Sequence, residues 1–169
     1  YHVIVEYGIE SCYDQTLRRI NRGHDFATTR YAIEETSKRG ITTGGHLILG
    51  LPGESEEMML NEASILSELG LHSLKFHQLL LVKGTAMVED YEKNPNDFNF
   101  MSFERYSDFI ISFLERLSPN IVIERFAGEV PPRFQAGYNW DLLRNEEVVS
   151  RIEQKMLESN TYQGRLYKQ

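Results

Sequence analysis

Residues 41–53 read Ile41-Thr42-Thr43-Gly44-Gly45-His46-Leu47-Ile48-Leu49-Gly50-Leu51-Pro52-Gly53. The segment closes on an unbroken apolar run, and a Gly/Pro cluster then stops it. That pattern predicts a strand over Ile41–Leu49. Working outward, Phe26–Arg39 has Ala32, Ile33 and Thr36 on one helical face, with Gly40 just past the end. A short helix is expected over Tyr13–Ile20. Val3–Tyr7 is apolar, β-branched and ended by Gly8, which predicts a first strand. On the other side, Ser55 is a natural N-cap for a helix over Glu56–Leu69, with Glu56 and Glu57 in the first turn, where the helix dipole favours negative charge. A third strand is expected over Ser73–Val82, followed by Lys83-Gly84-Thr85. The polar, turn-rich stretch Asp90–Phe100 reads as a surface loop.

The remaining elements follow the same logic. Phe103, Tyr106, Phe109, Ile110, Phe113, Leu114 and Leu117 form one apolar helical stripe that Pro119 forbids from continuing. A fourth strand over Ile121–Phe126, a loop over Ala127–Trp140 and a helix over Glu146–Leu157 complete the order, with Asn160–Gln169 expected to fray. Near-continuous apolar strands separated by helices imply an α/β fold with a parallel sheet and crossover connections. The opening Tyr1-His2-Val3-Ile4-Val5 reads as the edge of a strand cut from a longer chain.

Composition excludes several classes. The 169 residues carry 18 Lys+Arg against 25 Asp+Glu, a formal charge of −7, so nucleic acid is not an expected partner of this piece. The longest apolar runs, Leu47–Leu51 and Leu79–Val82, have strand length, so no membrane span is expected. A single cysteine, Cys12, rules out an internal disulfide and any iron–sulfur or zinc site built from several cysteines of this chain. The expected setting is cytoplasmic.

In parallel α/β sheets the ligand site lies at the carboxyl ends of the strands. There the sequence puts Gly8, Gly50-Leu51, Lys83-Gly84 and Gly128, although glycines of this kind can do no more than turn the chain. Polar residues within or just after strands are more telling: Glu6, Glu10, His46, Lys75, His77, Gln78, Glu124 and Arg125. One buried histidine is an ordinary core feature, but polar residues on several strands each need a partner. They suggest the polar lumen of an open barrel. No P-loop, His-Glu-x-x-His or Gly-x-Ser-x-Gly is present, so the residues alone name no reaction.

Three segments in order, Glu6-Tyr7-Gly8-Ile9-Glu10-Ser11, Leu17-Arg18-Arg19-Ile20-Asn21-Arg22-Gly23-His24 and His46-Leu47-Ile48-Leu49-Gly50-Leu51-Pro52-Gly53, resemble the second half of a radical SAM core. The resemblance is to the subgroup of YhcC-like proteins, oxygen-independent coproporphyrinogen oxidases and the Elongator catalytic subunit. It implies a partial (β/α) barrel of about four mostly parallel strands with helices on one face, the C-terminal half of a (β/α)6 core. Residues 1–88 would hold barrel strands four to six, residues 89–159 a helix–strand–helix extension, and 160–169 a tail. The family's [4Fe–4S] cluster cleaves S-adenosylmethionine (SAM) to a 5′-deoxyadenosyl radical. Its Cys-x-x-x-Cys-x-x-Cys loop is absent here and would lie upstream.

By the same resemblance Glu6, Glu10, Arg22, His46, Gly50, Leu51, Leu81 and Val82 would contact SAM. Glu10 stands where relatives carry Gln, and Arg22 where an Arg pairs with the methionine carboxylate. His77, Lys83 and Arg125 would face the substrate. No catalytic residue and no metal ligand is expected in this chain; SAM and [4Fe–4S] belong to the full-length parent. The parent would be an oxidoreductase of unknown substrate, a small-molecule substrate being one option. The alternatives are a tRNA-modifying radical SAM enzyme and a non-catalytic α/β interaction domain. A homodimer through the edge strand or the open barrel face is also expected.

Overall fold

Four parallel strands form one sheet in the order β1-β2-β3-β4, each step a crossover through helices to the neighbouring strand. The computed structural model describes residues 3–137, 140 and 143–168. The strands are β1 (Ile4–Glu10), β2 (Thr42–Leu49), β3 (Ser73–Gln78) and β4 (Val122–Arg125). The helices are α1 (Asp14–Arg19), α2 (Phe26–Lys38), α3 (Glu56–Ser67), α4 (Ala86–Lys93), α5 (Phe103–Arg116) and α6 (Asn145–Glu158). The expectation built on Tyr1 and His2, residues 138 and 139 of the expected loop, and Gln169 of the tail lie outside the described residues.

The sheet is two-sided. Ile9, Leu47, Leu74 and Phe76 point into one core with Ile33 of α2, Met59 and Leu66 of α3, Phe113 of α5 and Ile152 of α6. Parallel strands tolerate this because the crossover helices cover that face. Phe76 lies parallel to Phe126 at 6.2 Å and edge-on to Phe113 at 5.1 Å. Gly45 shows how tight the contact is. A Cβ there would come within 2.7 Å of Ile9 and 3.2 Å of Leu71, so only glycine lets the first two strands and the loop before β3 close up. Asp25 and Ser55 cap α2 and α3, accepting from Thr28 N at 2.8 Å and Met58 N at 3.2 Å. The other face carries Glu6, His46, Lys75 and Glu124, none of them buried.

Three expectations need correction. The third strand ends at Gln78, not Val82. Leu79 N still donates to Leu49 O at 2.8 Å, but β2 ends there, and Gly50 turns away at φ +88°, leaving no partner to extend the ladder. Leu79 and Leu81 instead bury themselves in a second apolar cluster with Leu51 and Phe98. The stretch 90–100 is not a plain surface loop. It contains the end of α4 and a 3₁₀ turn at Pro95–Asp97, and Phe98 is buried there. Tyr91 packs edge-on to Phe98 (5.2 Å) and Phe100 (5.5 Å). The acids that made this stretch look solvated are used by Arg19, which forks onto Asp90 at 3.0 and 3.1 Å and reaches Asp97 at 2.8 Å.

The tail is held, not frayed. Gly164 N and Leu166 N donate to Leu114 O (2.9 Å) and Glu115 O (2.6 Å), carbonyls of the last turn of α5. Gln163 Nε2 bridges Ser118 O and Ile121 O, both at 2.8 Å. Among the described residues no helix is long and apolar enough to cross a membrane.

Candidate functional site

The open sheet face is built by side-chain alternation. Glu6 on β1, His46 on β2, Lys75 on β3 and Glu124 on β4 fall on the same side of neighbouring strands. They make one chain of contacts. His46 Nε2 and Glu6 Oε2 are 2.9 Å apart, the Lys75 ammonium donates to Glu6 Oε1, and Lys75 Nζ lies 3.3 Å from Glu124 Oε2. The Lys75 hydrogen bond, then that of His46, holds the Glu6 carboxyl below its ordinary value. The His46 ring stacks on His77 at 5.6 Å between centroids.

Further along the strands the face opens into a cavity of about 290 Å³ lined by Glu10, His46, Ile48, His77, Arg125 and Glu129. Two local devices shape it. First, a bulge at Ile9 sets Gly8 opposite His46 but Glu10 opposite Leu47, and Glu10 adopts φ +63°. A bulge of this kind re-aims the side chain at a strand end, and a non-glycine residue in left-handed backbone is strained. Burial raises the Glu10 carboxyl, opposed first by Arg22. Second, Gln78 grips Gly128 from both sides, with Gly128 N donating to Oε1 at 2.8 Å and Nε2 donating to Gly128 O at 3.1 Å. Gly128 lies so close to the His77 ring that a Cβ there would sit 2.6 Å from Nδ1. Burial, then the charges of His46, Arg125 and Lys75, lowers the His77 pKa, so the imidazole is held neutral. Its Nε2 is buried without a hydrogen-bond partner among the described residues.

Arg22 reaches the same region from the turn between α1 and α2. Its Nη2 donates to Gly8 O at 2.6 Å and lies 3.9 Å from Glu10 Oε1. A cleft of about 340 Å³ opens beside it, lined by Arg18, Asn21, Gly23 and His24. Of the sequence-derived candidates, the structure therefore brings Glu6, Glu10, Arg22, His46, His77 and Arg125 together. Leu51 and Leu81 are buried at 1% and 3% exposure in the second apolar cluster, so only their backbone is available to a ligand. Gly50 lines a neighbouring recess with Gln78 and Tyr106, Val82 bridges to Gln135, and Lys83 extends to Arg133 O at 3.3 Å.

The residues fit SAM in kind: a guanidinium, a re-aimed carboxylate and imidazoles at the carboxyl ends of parallel strands. They do not fit a [4Fe–4S] cluster. Cys12 is the sole cysteine, it is buried, and burial with the nearby Glu62 charge drives its thiol pKa far up, the reverse of what a thiolate ligand needs. Sequence reasoning missed the buried carboxyls behind the site, Glu54 and Glu62, at 4% and 0% exposure. Glu62 sits three residues after Met59 and one before Ala63, on the edge of the apolar stripe, which was the available signal.

Comparison with known proteins adds the lineage. The radical SAM C-terminal domain family matches residues 71–158. An uncharacterized protein of Methanocaldococcus jannaschii is 35% identical over 97% of this chain and 50% of its own length. YtqA of Bacillus subtilis is 32% identical over 96% of the chain and 50% of its own length. YhcC of Escherichia coli is 33% identical over 75% of the chain and 40% of its own length. The chain thus spans about half the length of the curated relatives it matches. The solved structure of Methanocaldococcus infernus Elp3 lacking residues 1–46 superposes with a TM-score of 0.80, at 20% identity, over 95% of this chain and 37% of that one. At that identity the likeness establishes the fold.

Proposed function

The chain belongs to the radical SAM C-terminal domain family, and on that premise we propose that it supplies one wall of the SAM site of a longer radical SAM enzyme. The supporting observation is Glu10, held at φ +63° by a bulge with its carboxylate on the cavity beside Arg22. Strained backbone persists where the surroundings over-determine it, and such positions cluster at ligand sites. Arg22 would pair with the methionine carboxylate, Glu10 and Glu6 would accept from hydroxyl or amino groups, and His46 would flank them. The backbone at Gly50-Leu51 and Leu81-Val82 would pack against the adenine. His77, Lys83 and Arg125 would face a small substrate, for which an adjoining cavity of about 470 Å³ lined by Leu80, Pro131 and Trp140 gives room. Radical generation needs the [4Fe–4S] cluster, whose cysteines must come from outside this chain. The oxidoreductase chemistry and cytoplasmic setting are part of the same reading.

The test is SAM affinity in the full-length protein. Glu10→Ala should weaken it, Glu10→Gln should retain most of it, and an affinity indifferent to both would overturn the assignment. Residues 1–169 alone should take up no stoichiometric cluster on anaerobic reconstitution.

A second reading has one observation in its favour. Two archaeal relatives are named tRNA uridine(34) acetyltransferases, at 26% and 27% identity. On this reading the parent acts on tRNA. The charge of −7 means that the RNA surface would have to lie elsewhere in that parent. Salt-dependent tRNA binding by the full-length protein, with unchanged affinity after Arg125→Ala, would favour it.

A further inference from the structure

Behind the sheet, the turn after β1 meets α3 through two acids. Ser11 Oγ donates to Glu54 Oε1 at 2.5 Å, and Cys12 N donates to Glu62 Oε1 at 2.7 Å. Tyr13 N donates back to Ser11 Oγ at 3.0 Å, so both carboxyls converge on one three-residue turn. Glu54 ends the Gly50–Gly53 loop, and Glu62 projects from the middle of α3. Both carboxyls also keep their second oxygen, Oε2, buried without a hydrogen-bond partner among the described residues. The groups around them offer little positive charge. The turn contributes Ser11, Cys12 and Tyr13, with the Tyr13 hydroxyl committed to Met58 O at 2.7 Å. The α1 helix contributes Thr16, which faces Glu54, and α2 contributes Arg30, whose charge reaches Cys12 while its guanidinium stacks over Phe26 at 5.5 Å. Among the described residues neither Glu54 nor Glu62 has an ion pair.

Two bare carboxylates cannot share such a pocket, because each charge is desolvated and each repels the other. The two Oε2 atoms are acceptors without a partner among the described residues, and a proton on either turns it into a donor. We propose that Glu54 and Glu62 retain a single proton between them at neutral pH, an acid–carboxylate pair that ties the turn after β1 to α3 and to the Gly50–Gly53 loop. The pair is a positioning device. It fixes the end of β1, where Glu10 is re-aimed, against the loop that closes β2. Burial raises both carboxyls, Glu62 the more strongly because the Glu54 charge adds to it, which agrees with this arrangement.

The proton is taken up on folding, since the unfolded carboxyls are ionised above about pH 4.5. The clamp therefore weakens as pH rises, by about tenfold in its closing equilibrium per pH unit until the pair titrates. The test is infrared difference spectroscopy on the full-length protein at pH 7, Glu62→Gln against wild type, with Glu56→Gln as the exposed control. A protonated-carboxyl C=O band lost in Glu62→Gln and kept in Glu56→Gln is expected; no such band overturns the proposal. If Glu62→Gln does not fold, amide exchange of residues 9–13 in the wild type decides. Protection falling about tenfold per pH unit beyond the chemical rate supports the clamp, and protection that follows the chemical rate alone overturns it.

Discussion

Replacing Arg22 by alanine should produce two separable losses. No packing task for Arg22 is visible in the amino-acid pattern, yet its Nη2 donates to Gly8 O at 2.6 Å and braces the α1–α2 turn against the end of β1. A hydrogen bond from a charged donor contributes about 1.5–3 kcal/mol when well buried. The Arg22 side chain is 31% exposed, so the low end, about 1.5 kcal/mol of stability, is expected. The second loss is in ligand binding. A charge-assisted pair with the methionine carboxylate, itself worth about 1.5–3 kcal/mol, corresponds to about a 10- to 150-fold weaker SAM dissociation constant. Removing Arg22 also removes the leading influence that opposes burial at Glu10, so the Glu10 carboxyl should rise further. Denaturant titration and calorimetric SAM binding on the full-length protein, wild type against Arg22→Ala and Arg22→Lys, separate the two. Arg22→Lys keeps the charge but not the fork, and should recover part of the stability and less of the affinity. A stability loss with SAM affinity within twofold of wild type would leave Arg22 a brace and refute its role toward the ligand.

Other outcomes follow from the same geometry. A double-mutant cycle of Glu6→Gln and Lys75→Met should return a coupling of about 0.5–1 kcal/mol, small because Glu6 is 37% exposed. With the Glu6 carboxyl held low, this stability is present above about pH 4.5 and lost as pH falls through the folded value; a coupling that does not decline on acidification would contradict it. Gly45→Ala should cost about 1–3 kcal/mol by overpacking Ile9, Leu71 and Leu74, read as a lower denaturant midpoint at unchanged slope. Residues 1–169 expressed alone should self-associate through β1, an edge strand whose Ile4 is 49% exposed, with Val3 just before it at 57%. Sedimentation at micromolar concentration giving a clean monomer would argue against it.

The parallel sheet was legible because strand burial on the helix side leaves an unbroken apolar run at Leu47–Leu49 and buried Leu74 and Phe76 either side of Lys75, and because the α5 stripe repeats over four turns. Polar residues inside strands pointed correctly at the open face, since Glu6, His46 and Lys75 do bond to one another across it. What stayed hidden depends on partners remote in sequence. The helix α4 has eight residues and no fully buried side chain, so its stripe of Met87, Val88 and Tyr91 is short, and Asp90 meets Arg19 from 71 positions away. Leu79–Val82 looks like strand because hydrophobicity is shared by ladders and by packing. Glu62 borders the apolar stripe of α3, but its partner, Cys12 N in the turn after β1, lies 50 positions away.

The held tail has a consequence for how the chain is made. Thr161 and Arg165 close on Glu115, a contact that spans 50 positions for Arg165, and Gln163 clasps the carbonyls that lead α5 into β4. During synthesis α5 and β4 therefore emerge well before the residues that finish them. The outer strand of the sheet is secured only once residues 161–166 have emerged and docked. A chain broken before residue 161 would lose all of these contacts and leave the last-added strand loosely moored.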